Sequence, residues 1–193
     1  PHSTRALQGE GAAQAPLGDK LEQLDQYLRN RLDENHPLQG LRATPVVSRP
    51  ADLYLLGATG ASGQLAGEFG VPYVFALFIN GDEQVALEAL ESYRRSFRPV
   101  RSEKPEPILA LSAIVAETEE EAKRIAADFK LVKIHLESGR TITVSSLQHA
   151  EEFGRQTDEK YTIEAKDANI VAGTKSSVRE RLLDVRERFG VDE

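Results

Sequence analysis

Cysteine is absent from the 193 residues, and so is methionine. Without cysteine there is no disulfide, no thiolate zinc site and no cysteine nucleophile. A cytoplasmic protein fits that composition best. The lack of methionine extends to residue 1, where an open reading frame would begin, so the expectation is a piece of a longer polypeptide. No apolar run approaches the roughly eighteen residues of a membrane span. The opening PHSTRALQGEG has no apolar core of the kind a secretory signal carries. Positive charge is the scarcer sign: 24 Lys and Arg stand against 31 Asp and Glu, a net charge of −7. A general nucleic-acid binder would show a basic face, and this composition argues against one.

What is present is an ordinary globular mixture, 40% apolar and 28% charged, long enough for one domain with a real core. Residues 1 to 18 are small and polar and read as a loop. Asp19 and Glu22 have the spacing of a capping box, and Leu21, Leu24, Leu28 and Leu32 mark one face of a helix that Asn35 and Pro37 would end. Residues 52–58 and 73–79 are short continuous apolar runs, the pattern of strands buried on both sides. Between them, residues 61–69 read as a helix closed by Gly70, and a second helix is expected over 82–96. Residues 107–118 give a third buried strand, and Thr118 with Glu121 opens a further helix. From there two readings compete. KIHLESGRTITV could be a hairpin turning at Ser138-Gly139, but Phe129, Val132 and Leu136 keep helical spacing, and a helix to Leu136 is favoured. A short helix over 146–153, a polar stretch, IVAGT and a helix over 175–189 closed by Gly190 complete the chain. Alternating strands and helices predict an α/β fold with a parallel sheet, either doubly wound or a β/α barrel.

The chemistry concentrates at the bend after the first strand, GATGASG, residues 57–63. In βα folds, ligands bind at the carboxyl ends of strands. A helix start there presents unpaired amides and the positive end of the helix dipole. Small residues let a ligand approach the backbone, and Thr59 and Ser62 add hydroxyls. Ala58, Thr59, Gly60, Ala61, Ser62 and Gly63 are therefore the candidate phosphate cradle. The plainer reading is N-capping, which needs no ligand. No Gly-Lys-Ser/Thr follows, and Gly57, Gly60 and Gly63 are misspaced for a dinucleotide fingerprint.

Other groups read as structural. His2, His36, His135 and His149 lack metal-ligand spacing. Glu119, Glu120 and Glu121 suit a helix N-terminus, and Arg94, Arg95 and Arg98 suit a helix C-terminus. Ser176 and Ser177 read as capping residues, and Arg5 as a solvated loop residue able to reach a phosphate.

The stretch LYLLGATGASGQLAGEFGVPYVFALF, followed by ALESYRRSFRP, resembles the bacterial luciferase-like flavin-dependent monooxygenase family. VAETEEEAKRIA and IVAGTKSSVRERLLDVRERFGVDE resemble that family's later segments in the same order, and KLVKIHLESGRTITVSSLQHAEEFG resembles its variable excursion. The resemblance implies a β/α (TIM-type) barrel, here partial, with residues 1–193 carrying the equivalents of strands five, six and seven. It implies oxidation of a small organic substrate by O2 with reduced FMN supplied by a flavin reductase; a deazaflavin is the lesser option. The flavin phosphate would lie against Thr59, Ser62 and the amides of residues 60–63, with Ala58 standing where luciferase itself has Glu. Residues 130–160 would be a mobile excursion or lid. A homodimer is the assembly the resemblance suggests. The ring-facing groups of the first four strands have no counterpart here, so the chain alone is expected to be inactive. The alternatives are a non-catalytic flavin- or phosphate-binding truncated barrel and a non-flavin βα enzyme that grips a sugar phosphate in the same turn.

Overall fold

The structure is a computed structural model that describes residues 16–36, 39–144 and 146–193. Helix α1 spans Leu17–Leu28. It begins two residues before Asp19, with Pro16 at the cap position and no side-chain cap, so the expected Asp19–Glu22 capping box does not form. Glu22 instead pairs with Arg101 at 2.8 Å, and the buried Asp25 bridges Arg29 and Arg101. The helix stops at Leu28, well short of Asn35, where Asn30 turns to a φ of +52°. Asn tolerates that left-handed conformation better than most residues, and it carries the chain away before Leu32 could join the helix face.

A parallel three-stranded sheet follows, built from β1 (Leu55–Gly57), β2 (Tyr73–Ala76) and β3 (Pro107–Ala110) in the order β1-β2-β3. Leu55 pairs with Tyr73, and Tyr73 with Pro107. Helices α2 (Gly60–Phe69) and α4 (Glu83–Ser96) make the crossovers. They bury Phe69, Leu90 and Tyr93 with Tyr73 and Phe75 of the central strand in the main core. The second apolar run is strand only to Ala76. Residues Leu77–Asn80 form a single helical turn, α3, stopped by Gly81 at a φ of +73°. The third run is also shorter than expected. It breaks at Leu111 into β3 and β4 (Ser112–Val115), and β4 pairs in parallel with β8 (Ile170–Gly173).

Helix α5 (Glu119–Ala127) is capped by Thr118, as the sequence indicates, but it ends at Asp128. The favoured continuation to Leu136 is not what forms. Residues Lys130–Leu136 are strand β5, which turns through Ser138 and Gly139 into β6 (Thr141–Val144). Strand period explains the outcome: Val132, Ile134 and Leu136 are buried while their neighbours are not, and Phe129 is half exposed. Gly139 supplies the positive φ the turn needs, +82°. After α6 (Leu147–Gly154), the polar stretch contains a strand the sequence does not predict, β7 (Tyr161–Asp167), which adds to the other side of β5. This antiparallel sheet, ordered β6-β5-β7, has its own small core with Ala150 of α6. The chain closes with α7 (Lys175–Phe189), ended by Gly190 as expected.

The architecture is mixed α/β, with three small sheets and no closed barrel among the described residues. No helix among them is long and apolar enough to cross a membrane.

Candidate functional site

The turn from β1 to α2 holds the candidate cradle. Thr59 is the N-cap of α2, in extended conformation, and Ser62 is the third helical residue. Their side chains form a reciprocal capping box. The Ser62 amide donates to Thr59 Oγ1 at 3.2 Å, and the Thr59 amide donates to Ser62 Oγ at 3.2 Å. Ser62 Oγ also donates to the Thr59 carbonyl at 2.7 Å. The Ser62 hydroxyl is thus engaged inward, whereas Thr59 is exposed and its hydroxyl proton has no fixed inward acceptor closer than Ser62 Oγ at 3.3 Å. Gly60 and Ala61, the first two helical residues, have amides without intrahelical partners. A Cβ at Gly60 would meet nothing within 4 Å, so the backbone there lies open. At Gly63 a Cβ would lie 2.3 Å from the Ala89 carbonyl, which makes Gly63 a packing residue between α2 and α4. Of the six candidate residues, the structure places Thr59, Gly60 and Ala61 together at the start of α2, Thr59 exposed and the two amides without intrahelical partners. Ala58 joins through its backbone, and Ser62 and Gly63 build the turn from within.

Two residues behind the turn escaped the sequence. Tyr73 is fully buried, and its hydroxyl lies 2.9 Å from Ser62 Oγ and 3.2 Å from the Thr59 carbonyl. Burial raises its pKa, against the opposing pull of its bonds to Ser62 and to the Thr59 backbone, so the phenol stays neutral at physiological pH. Asn80 Nδ2 donates to the Ala58 carbonyl at 2.8 Å. The available signal was an aromatic with a polar tip at the start of a buried strand, which needs a hydrogen-bond partner somewhere.

The same Thr-x-x-Ser turn recurs at the start of α7. Thr174 is the N-cap, its Oγ1 accepts from the Ser177 amide, and Ser177 Oγ lies 3.1 Å from the Thr174 carbonyl. Ser177, read as a capping residue, is the inner member of this second turn. The strand before each turn ends in a glycine whose Cβ would collide with the serine hydroxyl, at 2.2 Å for Gly57 and 2.3 Å for Gly173. The difference lies in the brace. At α7 the Glu119 carboxylate accepts from Ser177 Oγ at 2.5 Å and from the Thr174 amide at 2.9 Å. Those bonds, Ser177 first, hold its pKa down at about 2. Glu119 was read as complementing the dipole of its own helix; it also closes another.

Arg94 behaves similarly. Rather than serving the end of its own helix α4, it donates to the carbonyls of Phe189 and Gly190 at the end of α7, at 2.8 and 2.7 Å. His135 lies between Thr141 and Glu164, and His36 beside Gln23. Among the described residues no group of three or more His, Asp or Glu could hold a metal ion. His2 and Arg5 lie outside the described residues.

Comparison with known proteins gives this geometry a setting. A luciferase-like monooxygenase family profile matches residues 27–193. The N-acetyl-S-alkylcysteine monooxygenase of Bacillus subtilis (strain 168) is 32% identical over 192 residues, 99% of this chain and 57% of the relative. A luciferase-like monooxygenase of Escherichia coli (strain K12) is 26% identical over 163 residues, 83% of this chain and 48% of its own length. The crystal structure of apo-MsnO8 superposes with a TM-score of 0.66 at 27% identity, covering 100% of this chain and 57% of that one. The chain therefore spans about half the length of the relatives it matches. With the match running through the capped turn and to the final residue, the chain belongs to the luciferase-like monooxygenase family.

Proposed function

We propose that this chain forms the phosphate-binding corner of a flavin-dependent monooxygenase that oxidises a small organic substrate with O2. The observation that carries the reading is the β1–α2 turn, where the exposed Thr59 and the amides of Gly60 and Ala61, which have no intrahelical partners, lie at a helix N-terminus. That donor set fits a phosphate monoester, and FMN has one. When bound, reduced flavin supplies the oxygen chemistry. The chain's own residues do the rest. Thr59 Oγ1 and the two amides would anchor the phosphate, the positive end of α2 would favour its charge, and Ser62 would keep the turn in shape.

The parallel strands with crossover helices fit an arc of a β/α barrel. The Glu193 carbonyl accepts from the Leu109 amide at 3.0 Å, which extends the pairing beyond β3. An apolar groove between β3, β4 and α7, with Val115 and Leu183 exposed, suits further strands packing there. The 130–160 excursion, which holds β5, β6 and α6, would act with the adjoining strand β7 as a lid over the site. A flavin reductase as the source of reduced FMN, a homodimer and a cytoplasmic setting complete the reading. FMN is preferred to a deazaflavin.

The test compares FMN with riboflavin, which lacks the phosphate. Thr59→Ala should weaken FMN far more than riboflavin, and equal loss for both would sink the phosphate role. Oxygen consumption driven by NADH and a flavin reductase separates an oxidising enzyme from a flavin-binding module. N-acetyl-S-alkylcysteine, the compound in one relative's name, is the first substrate to assay.

A further inference from the structure

We propose that Tyr73 and Asn80 are positioning residues that aim the turn's amides at the phosphate, an inference that rests on the phosphate reading above. In a trans peptide the C=O and the following N–H point in opposite directions. Asn80 holds the Ala58 carbonyl at 2.8 Å, so the Thr59 amide of the same peptide points the other way, onto Ser62 Oγ at 3.2 Å. The next carbonyl, of Thr59, accepts from the Gly63 amide at 3.2 Å and from Ser62 Oγ at 2.7 Å, both in α2, and from the Tyr73 hydroxyl at 3.2 Å. That directs the Gly60 amide away from the protein interior. Two successive peptide planes are therefore held by α2 and braced from behind by Tyr73 of β2 and Asn80 of α3.

The second Thr-x-x-Ser turn shows why the chemistry of the brace matters. There Glu119 occupies the bracing place, and its negative charge meets the needs of the α7 turn from within the chain. A further anion arriving there would meet a carboxylate. At α2 both braces are neutral, since Asn80 has no charge and burial keeps the Tyr73 phenol protonated. Of two turns built alike, only the one with neutral braces keeps its positive end available. Tyr73 and Asn80 thus help to fix how the α2 donors point without bringing in the negative charge that Glu119 brings to α7.

The experiment measures dissociation constants of the full polypeptide for FMN and for riboflavin, in the wild type and in Tyr73→Phe, Asn80→Ala, Thr59→Ala and Glu119→Gln. Tyr73→Phe removes one hydroxyl and leaves the ring in its packing against Tyr93. Tyr73→Phe and Asn80→Ala should each weaken FMN about tenfold while riboflavin changes less than about twofold. Glu119→Gln should leave FMN affinity at the wild-type value. If Thr59→Ala weakens FMN selectively but Tyr73→Phe and Asn80→Ala keep the wild-type ratio of the two affinities, the positioning role is overturned and the phosphate reading stands. If Thr59→Ala leaves that ratio unchanged, or the wild type binds no FMN, the phosphate reading falls and the proposal with it. Parallel loss of both ligands in Tyr73→Phe means a merely structural residue and also overturns the proposal. Should Asn80→Ala fail to fold, Tyr73→Phe decides the matter.

Discussion

The Glu119 carboxylate accepts a hydrogen bond from the Ser177 hydroxyl, 58 residues away, at 2.5 Å, so that one helix closes the N-terminus of another. The Ser177 bond first, then the Thr174 amide, lowers the Glu119 pKa from 4.5 to about 2. A carboxylate with a depressed folded-state pKa stabilises the fold above its unfolded value and loses that contribution as pH falls through the folded one. The pH window is therefore from 4.5 down to about 2. Glu119→Gln should lower the melting temperature at neutral pH, and the gap from wild type should close as the pH drops through that window. Melting curves recorded across the acid range would show it. A gap that stays constant with pH would mean that the charge of Glu119 contributes nothing.

Arg94 ties α4 to the end of α7 through two carbonyls. Arg94→Ala leaves both without this donor. Because Arg94 is exposed, water replaces part of the loss, and the expected cost is about 1 kcal/mol. Urea unfolding should show an earlier midpoint with an unchanged slope. An unchanged midpoint would show that solvent serves these carbonyls equally well.

The glycines of the turn separate packing from access. Gly63→Ala would push a methyl group to 2.3 Å from the Ala89 carbonyl, where backbone of α4 has little room to yield. Overpacking of this kind should cost about 3 kcal/mol. Gly60→Ala meets nothing within 4 Å and needs no positive φ, so stability should hold or rise by about 0.5 kcal/mol. Denaturation of the two variants side by side tests the pair. Equal costs would contradict the close approach of α2 to α4.

The elements legible in the sequence were those whose stop signals are local. Asp82 caps α4, Gly70 ends α2 and Gly190 ends α7, and in each case a neighbouring side chain or a left-handed glycine does the work. The capped turn at Thr59 and Ser62 was legible for the same reason. Its braces were not, because Tyr73 lies 11 residues beyond Ser62 and Asn80 lies 22 beyond Ala58. Local pattern is silent about such contacts. The β5 strand was misassigned because Phe129, Val132 and Leu136 satisfy helical spacing while Val132, Ile134 and Leu136 satisfy strand spacing. Burial chose the second set. For β7 the signal existed, since Tyr161, Ile163 and Ala165 alternate with polar residues. The strand remains largely exposed, so the apolar share that usually marks a strand was weak.

The sheet β6-β5-β7 keeps a core separate from the one around Tyr73 and Phe75. Its links to the rest are thin. Asn169 Nδ2 reaches the Gly81 carbonyl at 3.4 Å. A unit that buries its own apolar residues and shares few contacts can open without unfolding its neighbour. Ile134 is fully buried at the centre of that core. Ile134→Ala should therefore cost about 2–4 kcal/mol, confined to this sheet. In hydrogen exchange, amides of β5, β6 and β7 should lose protection while those of β1, β2 and β3 keep it. Simultaneous loss in both sets would show one cooperative unit, and the sheet could not then move as a lid independent of the proposed phosphate corner. Protection lost in β5 to β7 alone would give it the independence that gating requires.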